Sequence, residues 1–299
     1  MSSASLIDQT GAADAAPGGA RALLAESARV LERAGVPTPQ ADAELIAGFV
    51  LGKSRGEVSA AVLLDRSVST AHAQQIRELV EVRARRIPLQ HITGVAPFRS
   101  IELAVGPGVF IPRPETEVLV EEALRRTPQG AVVFDLGTGS GAIALSVAVE
   151  RPDVTVFAIE KSGCAFVWAQ HNRRTLGLEN VHLIHADFTA GEVLRELPTP
   201  DVVISNPPYV PEGECPHDPE VYLFDPEVAL YAGADGLDAL TAMVPVAGMV
   251  LRSGGFFLCE HAEGQGDRVR ALLGSAWWRD ASTLPDLTGR DRFTVAERV

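Results

Sequence analysis

From position 131 onward the chain is paced by short apolar runs separated by segments of helical periodicity, and this rhythm constrains its fold more than any other feature. The runs read "AVVFDLG", "VTVFAIE", "VHLIHAD", "DVVISNPP" and "GGFFLCEH", with a weaker pair near "FTVAERV". Strands that alternate with helices build an α/β fold, a doubly wound, mainly parallel sheet of Rossmann-like type. The five runs and the weaker pair make that sheet seven-stranded. Ligands of such sheets bind in the crevice outside the carboxyl ends of the strands. Every unusual residue cluster in this part of the chain falls at such an end.

The preceding residues follow other patterns. Residues 1–19 are small, polar and rich in Ala and Gly, the composition of a disordered leader. Residues 20–88 are helical in pattern and predict a small N-terminal helical-bundle domain. In it, "TPQADAELIAGFVLG" offers Thr38 as N-cap, Pro39 in the first turn and Gly52 past the end. A second helix, "STAHAQQIRELVEVRARRI", runs from about Ala71 and stops before Pro88. Residues 89–114 lie in "HITGVAPFRSIELAVGPGVFIPRPETE", where polar and apolar residues alternate around Gly and Pro, and predict a β-hairpin linker to a catalytic domain over residues 115–299. A length of 299 residues suits two domains.

Composition narrows the function. No apolar run is long enough to span a bilayer, and the first residues lack a basic segment followed by an apolar core, so a cytoplasmic protein is expected. Cys164, Cys215 and Cys259 are widely spaced and odd in number, which reads as reduced thiols. The formal net charge of -13 is unevenly spread: residues 21–108 carry eleven Lys/Arg against nine Asp/Glu, and residues 109–299 carry fifteen against twenty-eight. Duplex binding draws on cations that neutralise many phosphates, so nucleic acid is disfavoured as the main partner. A local basic patch at Arg83, Arg85 and Arg86 remains.

Two clusters carry chemistry. In "FDLGTGSGAIAL" a strand passes through Gly137, Thr138, Gly139, Ser140 and Gly141 into a helix. The glycines allow a tight turn and close approach of a ligand, and the helix start supplies free N–H groups. The spacing is one residue shorter than the dinucleotide fingerprint, and Asp135 precedes it, where a pyrophosphate would be repelled. A cationic cofactor fits better. Glu160 ends the next strand, where a carboxylate accepts both hydroxyls of a ribose. Asp187 and Phe188 end the third, where a carboxylate takes an exocyclic amine and a ring covers adenine. Together they describe a pocket for S-adenosylmethionine, whose product is S-adenosylhomocysteine.

The second cluster is Asn206-Pro207-Pro208-Tyr209, which ends the fourth strand. Two prolines cannot donate to a sheet ladder, so the strand must stop, leaving a stiff extended tetrapeptide. A planar amide or exocyclic amine can donate its two N–H groups to the Asn206 side-chain oxygen and the Pro207 carbonyl while Tyr209 packs on its flat face. Reaction at that nitrogen is then favoured by orientation.

On these residues the chain resembles the HemK/PrmC family, the peptide chain release factor glutamine methyltransferases, from about residue 20 to the end. The carrying stretches are "AGVPTPQADAELIAGFVLG", "IPLQHITG", "VFIPRPETE", "DLGTGSGAIAL", "SNPPYVP", "FDPEVALYAGADGLDAL" and "EHAEGQGDRVRALL". The resemblance implies the class I S-adenosylmethionine-dependent methyltransferase fold. It also implies methyl transfer to the side-chain amide nitrogen of the glutamine in the Gly-Gly-Gln loop of class I release factors, and a helical domain that docks the protein substrate. Carried across, Gly137, Thr138, Gly139, Ser140 and Gly141 would hold the methionine portion, Glu160 the ribose and Phe188 the adenine. Asn206, Pro207, Pro208 and Tyr209 would hold the glutamine, with Asn206 also facing the cofactor. The chain departs from the family where Glu160 replaces the usual Asp, Phe188 a frequent Trp, and Asp225 the Glu that usually precedes Pro226.

Other signals are weaker. Cys215 with His217, and Cys259 with His261, lack the paired spacing of a structural zinc site, so no metal is expected. Arg113, between two prolines, positions the cofactor or the hairpin, or makes a structural ion pair. A monomer acting on release factors, away from membranes, is the expected assembly. Three alternatives stay open at this level: a glutamine methyltransferase of a ribosomal protein, an adenine-amino nucleic-acid methyltransferase, and a catalytically silent S-adenosylmethionine-binding protein.

Overall fold

The structure, a computed structural model, describes residues 18–299. The leader expected over residues 1–19 therefore lies outside the described residues except for Gly18 and Gly19, which are paired backbone. The chain forms two compact units that divide between Thr93 and Gly94.

In the first unit, β1 (Gly18–Gly19) pairs antiparallel with β2 (Ser67–Val68). Around them run α1 (Ala20–Arg33), α2 (Pro39–Leu51), α3 (Arg55–Leu63), α4 (Thr70–Ala84) and α5 (Leu89–Thr93). Leu23, Leu24, Ser27 and Leu31 recur at helical spacing on α1 and are buried. Its Leu23, Leu24 and Leu31 pack with Ile46 and Ala47 of α2 and Ile76 and Val80 of α4. Helix α2 begins after Thr38 and ends at Gly52 in the left-handed conformation (φ 62°). Thr38 does not cap it through its side chain. Its hydroxyl donates instead to Asp42 Oδ1 at 2.8 Å, and Asp42 Oδ2 accepts from Arg83 Nε at 2.7 Å. Both charged side chains of that pair are 7% exposed. Arg83 is thus an interior ion pair rather than part of a surface basic patch. Helix α4 ends at Ala84, short of the expected stop, because Arg86 turns left-handed (φ 67°). Pro88 opens the next turn, with His91 N–H donating to its carbonyl at 3.0 Å, so the residues after it are helical where a hairpin was expected.

The second unit opens with an antiparallel hairpin, β3 (Val95–Phe98) and β4 (Ile101–Ala104). It continues through α6 (Pro114–Arg126), β5 (Val132–Leu136), α7 (Ala142–Glu150), β6 (Thr155–Glu160), α8 (Gly163–Leu176) and β7 (Val181–His185). The remaining elements are α9 (Glu192–Arg195), β8 (Val202–Ser205), α10 (Pro219–Phe224), α11 (Asp238–Val250), β9 (Phe256–Glu260), α12 (Gly266–Leu272), β10 (Trp278–Pro285) and β11 (Asp291–Arg298). The hairpin belongs to the body of this unit. Phe98 and Leu103 are buried in the same core as Leu119, Val120 and Leu145. At its turn Arg99 is left-handed (φ 50°), and its guanidinium reaches Glu121 at 2.9 Å and Glu150 at 2.5 Å.

The seven-stranded sheet has the order β10-β11-β9-β8-β5-β6-β7. Strands β5 to β9 pair in parallel, and β11 runs antiparallel to both β9 and β10. Alternate residues of β5 enter opposite layers: Val133 packs with Ile143 and Val147 of α7, while Phe134 and Leu136 pack with Leu240, Met243 and Ala247 of α11. The chain leaves β5 toward β6 on one side and returns to β8 on the other. The carboxyl ends of β5 and β8 therefore flank a topological switch point, where doubly wound sheets bind ligands.

Candidate active site

A cavity of about 320 Å3 opens at that switch point, lined by residues of the second unit. Its first wall is main chain. Gly137, Gly139 and Gly141 are all left-handed, with φ of 74°, 59° and 90°, which folds the loop back before α7 begins. The N–H groups of Gly137 and Thr138 both donate to Ile159 O, at 2.8 and 3.0 Å, anchoring the loop to the end of β6. Glu160 is buried, and each carboxylate oxygen accepts one main-chain N–H, from Gly139 at 2.8 Å and Ser162 at 2.7 Å. Each oxygen keeps acceptor capacity toward the cavity.

Beneath the loop Asp135 is fully buried. Its Oδ2 accepts from Thr138 Oγ1 at 2.5 Å and from the Ala144 N–H at 3.1 Å. Its Oδ1 has no hydrogen-bond partner among the described residues. Burial pushes this carboxyl up to about 7. Of the two carboxyls only Glu160 lines the cavity, and its acceptor capacity suits a ligand that brings positive charge and hydroxyl donors.

The opposite wall is built by side chains from distant segments. Ser205 Oγ donates to Leu136 O at 2.5 Å, tying the end of β8 to that of β5. Asn206 follows. Its Nδ2 donates to Thr116 Oγ1 at 3.1 Å, and Thr116 Oγ1 donates to Glu260 Oε2 at 2.7 Å. The Tyr209 hydroxyl donates to Glu260 Oε1 at 3.4 Å. Glu260, at the end of β9, is 1% exposed, and burial raises its carboxyl to about 7. Burial, with Glu260 beside it, holds the Tyr209 phenol well above its ordinary value and so keeps it a donor.

The Tyr209 backbone is fixed from behind. Gln265 Nε2 donates to Tyr209 O at 3.0 Å, and Val210 pairs with the chain at Tyr231. Gly236 makes this approach possible: a Cβ there would lie 2.3 Å from Tyr209 O, and its φ is 73°. Arg113 forms an ion pair at 2.5 Å with Asp225, whose side chain is fully buried and also accepts the Ile111 N–H at 3.3 Å. This contact joins "IPRPETE" to "FDPEVALYAG" beside the cavity, and the shorter Asp225 reaches it without the extra methylene of Glu.

Of the residues singled out in the sequence, Gly137, Thr138, Gly139, Ser140, Glu160, Phe188, Asn206, Pro207, Pro208 and Tyr209 all line the one cavity. Gly141 and Asp187 do not. Gly141 sits behind the loop against Leu145, and the Asp187 carboxylate accepts from the Thr189 N–H and hydroxyl at 2.9 and 2.6 Å. Thr116, Glu260 and Gln265 were given no role by sequence reasoning, although all three stand in stretches that carry the resemblance. Their only local signal is a polar residue at the end of an apolar strand or inside a motif. Cys259 and His261 both contact Thr294, and no group of three or more His, Cys, Asp or Glu that could hold a metal ion occurs among the described residues.

Residues 22–94 match the PrmC N-terminal domain, and residues 103–218 match the methyltransferase small domain. The chain is 43% identical over 282 residues to the release factor glutamine methyltransferase of Mycolicibacterium smegmatis, covering 93% of this chain and 98% of that one. It is 43% identical over 281 residues to the enzyme of the same name from Corynebacterium glutamicum, covering 92% and 98%. Among solved structures, a T. thermophilus 16S rRNA methyltransferase in complex with AdoMet and guanosine shares the fold with a TM-score of 0.50 at 24% identity, over 69% of this chain and 50% of that one. Identity of this extent, over nearly the full length of both chains, places the protein in the release factor glutamine methyltransferase family.

Proposed function

We propose that this chain is an S-adenosylmethionine-dependent protein-(glutamine-N5) methyltransferase. It transfers a methyl group to the side-chain amide nitrogen of the glutamine in the Gly-Gly-Gln motif of class I peptide chain release factors and so supports translation termination. The observation that carries this reading is the Asn206 amide. With its Nδ2 engaged by Thr116, its Oδ1 is left as an acceptor at a cavity whose other wall is the glycine turn and Glu160.

The cofactor would be held by Gly137, Thr138, Gly139 and Ser140 through main chain, by the Glu160 carboxylate at its ribose and by the Phe188 ring at its adenine. The Glu160 carboxylate, which lines the cavity, suits its positive charge. When bound, it supplies an electrophilic methyl group on a sulfonium. The chain's own residues do the positioning. Asn206 Oδ1 and the Pro207 carbonyl accept the two N–H groups of the glutamine amide, and the Tyr209 ring covers its flat face. Pro207 and Pro208 contribute rigidity, having no N–H and a fixed φ. An amide nitrogen is a weak nucleophile, so alignment and exclusion of water supply most of the acceleration, a contribution of up to about 7–11 kcal/mol for well-oriented reactants. The methylated nitrogen is acidic enough to release its proton to water, and no dedicated base is required.

The helical unit docks the protein substrate, in keeping with its match to the PrmC N-terminal domain. The enzyme works as a monomer in the cytoplasm; no helix among the described residues is long and apolar enough to cross a membrane. Mass spectrometry of a purified class I release factor, incubated with the protein and S-adenosylmethionine, tests the reading. One added methyl on the Gly-Gly-Gln glutamine, absent with Asn206→Ala, supports it. An unmodified factor alongside normal cofactor binding overturns it and turns the search to ribosomal proteins.

A further inference from the structure

We propose that Thr116 and Glu260 are positioning residues that set which end of the Asn206 amide faces the substrate, and that they thereby make the clamp select an amide over a carboxylate. The inference rests on the glutamine reading of the clamp. A primary amide has a donor end and an acceptor end of nearly the same shape, and the hydrogen-bond network around it decides which end points where. Thr116 carries one hydroxyl hydrogen. That hydrogen goes to Glu260 Oε2 at 2.7 Å, and above about pH 7, where Glu260 is ionised, its carboxylate only accepts. The Thr116 oxygen then has only lone pairs to offer, so Asn206 must present Nδ2 to it, as it does at 3.1 Å.

The opposite flip would set the Asn206 oxygen against the Thr116 lone pairs and leave Glu260 unable to relieve the conflict. The second oxygen of Glu260 accepts from Tyr209, so one buried carboxylate orients both side chains of the clamp. The consequence reaches the substrate. An outward Oδ1 accepts from a glutamine N–H and repels a glutamate carboxylate of the same size. An outward Nδ2 would reverse that preference.

The test uses the full chain with a release factor carrying either Gln or Glu in its Gly-Gly-Gln loop. It compares wild type with Thr116→Val, which keeps the shape and removes the hydroxyl, Thr116→Ser, which keeps the hydroxyl, and Glu260→Gln. Cofactor affinity, kcat/KM for the Gln factor, and the ratio of Gln-factor to Glu-factor binding are measured. Leaving a buried polar group without its partner costs about 1–3 kcal/mol, so Thr116→Val is expected to lower kcat/KM roughly 5- to 150-fold and to narrow the Gln/Glu ratio by a similar factor. Cofactor affinity should stay within about twofold of wild type. Thr116→Ser recovers most of the lost selectivity. Glu260→Gln falls between, because a glutamine can turn either end toward Thr116. This second route also decides the question where Thr116→Val does not fold. If the Gln/Glu ratio is the same in Thr116→Val or Glu260→Gln as in wild type, the inference is overturned while the glutamine reading survives. If wild type itself does not methylate the Gln factor, it is the glutamine reading that fails.

Discussion

The two walls of the cavity are made in opposite ways. The wall at the ends of β5 and β6 is almost entirely main chain from one short stretch, with the three glycines turning between a strand and a helix and Glu160 closing it from the next strand end. The wall at the end of β8 is side chain, assembled from α6, the segment after β8, the end of β9 and the turn before α12, through Thr116, Asn206, Tyr209, Glu260 and Gln265. A main-chain wall needs little more than that the glycines remain glycine and that Glu160 closes it. A side-chain wall depends on every member of its network, since each buried polar group is satisfied by another. The first is therefore robust to change elsewhere, and the second can be tuned.

The sharpest way to break this contrast is at Asn206. Asn206→Ala removes the acceptor that aligns the substrate and is expected to reduce methyl transfer by about 1,000-fold or more in single-turnover assays. A loss below tenfold would mean that the clamp is not the aligning device. Next is Gly236→Ala. A Cβ that close to Tyr209 O forces the backbone apart at a left-handed position, so a loss of about 2–4 kcal/mol in denaturant stability is expected, accompanied by lower activity. Glu160→Gln probes the other wall. A glutamine cannot accept from both Gly139 and Ser162 with its two ends, so cofactor affinity should fall about 10- to 100-fold by calorimetry, with a smaller change in kcat.

The smallest effect is that of pH, and here activity and stability part company. Burial raises Glu260 and Asp135 to about 7, far above their ordinary values. A folded-state value above the unfolded one means that the folded protein binds the proton more readily. The resulting stability is complete below about pH 4, where the unfolded carboxyls are also protonated, and is lost as pH rises through 7. The melting temperature should thus decline from about pH 4.5 to about pH 7 and level off above it, less steeply in Glu260→Gln. Activity should move the other way, falling below about pH 7 as protonated Glu260 ceases to be a pure acceptor. Around that carboxyl Glu115 from α6 opposes ionisation and Arg292 from β11 favours it, while Tyr209 and Thr116 donate to it. Identical pH slopes for wild type and Glu260→Gln, in both measurements, would remove Glu260 from the account.

Much of the first wall was legible in the sequence because its information is local. A β-branched run, three glycines at alternate positions and an apolar helix follow one another within about a dozen residues, and each glycine has a backbone reason to be there. The strand end at Asn206 was equally legible, since two prolines cannot continue a ladder. The partners of Asn206 were not. Thr116 lies ninety residues away and Glu260 fifty-one residues beyond Tyr209, and nothing near either announces that they meet. The same distinction explains the small unit, where Thr38 was well placed to cap α2 but turned to Asp42, which in turn engages Arg83 on α4.

By itself, then, the order of residues determined the alternation of strands and helices, the turn that begins α7 and the stop after β8. Each depends on torsional freedom and hydrophobic periodicity within a few residues. Only the tertiary structure decided which strand lies beside which, and hence that the ends of β5, β8 and β9 converge on one cavity. It also decided which way the Asn206 amide points, because that orientation belongs to a chain of hydrogen bonds from Asn206 through Thr116 to Glu260 and to none of those residues alone.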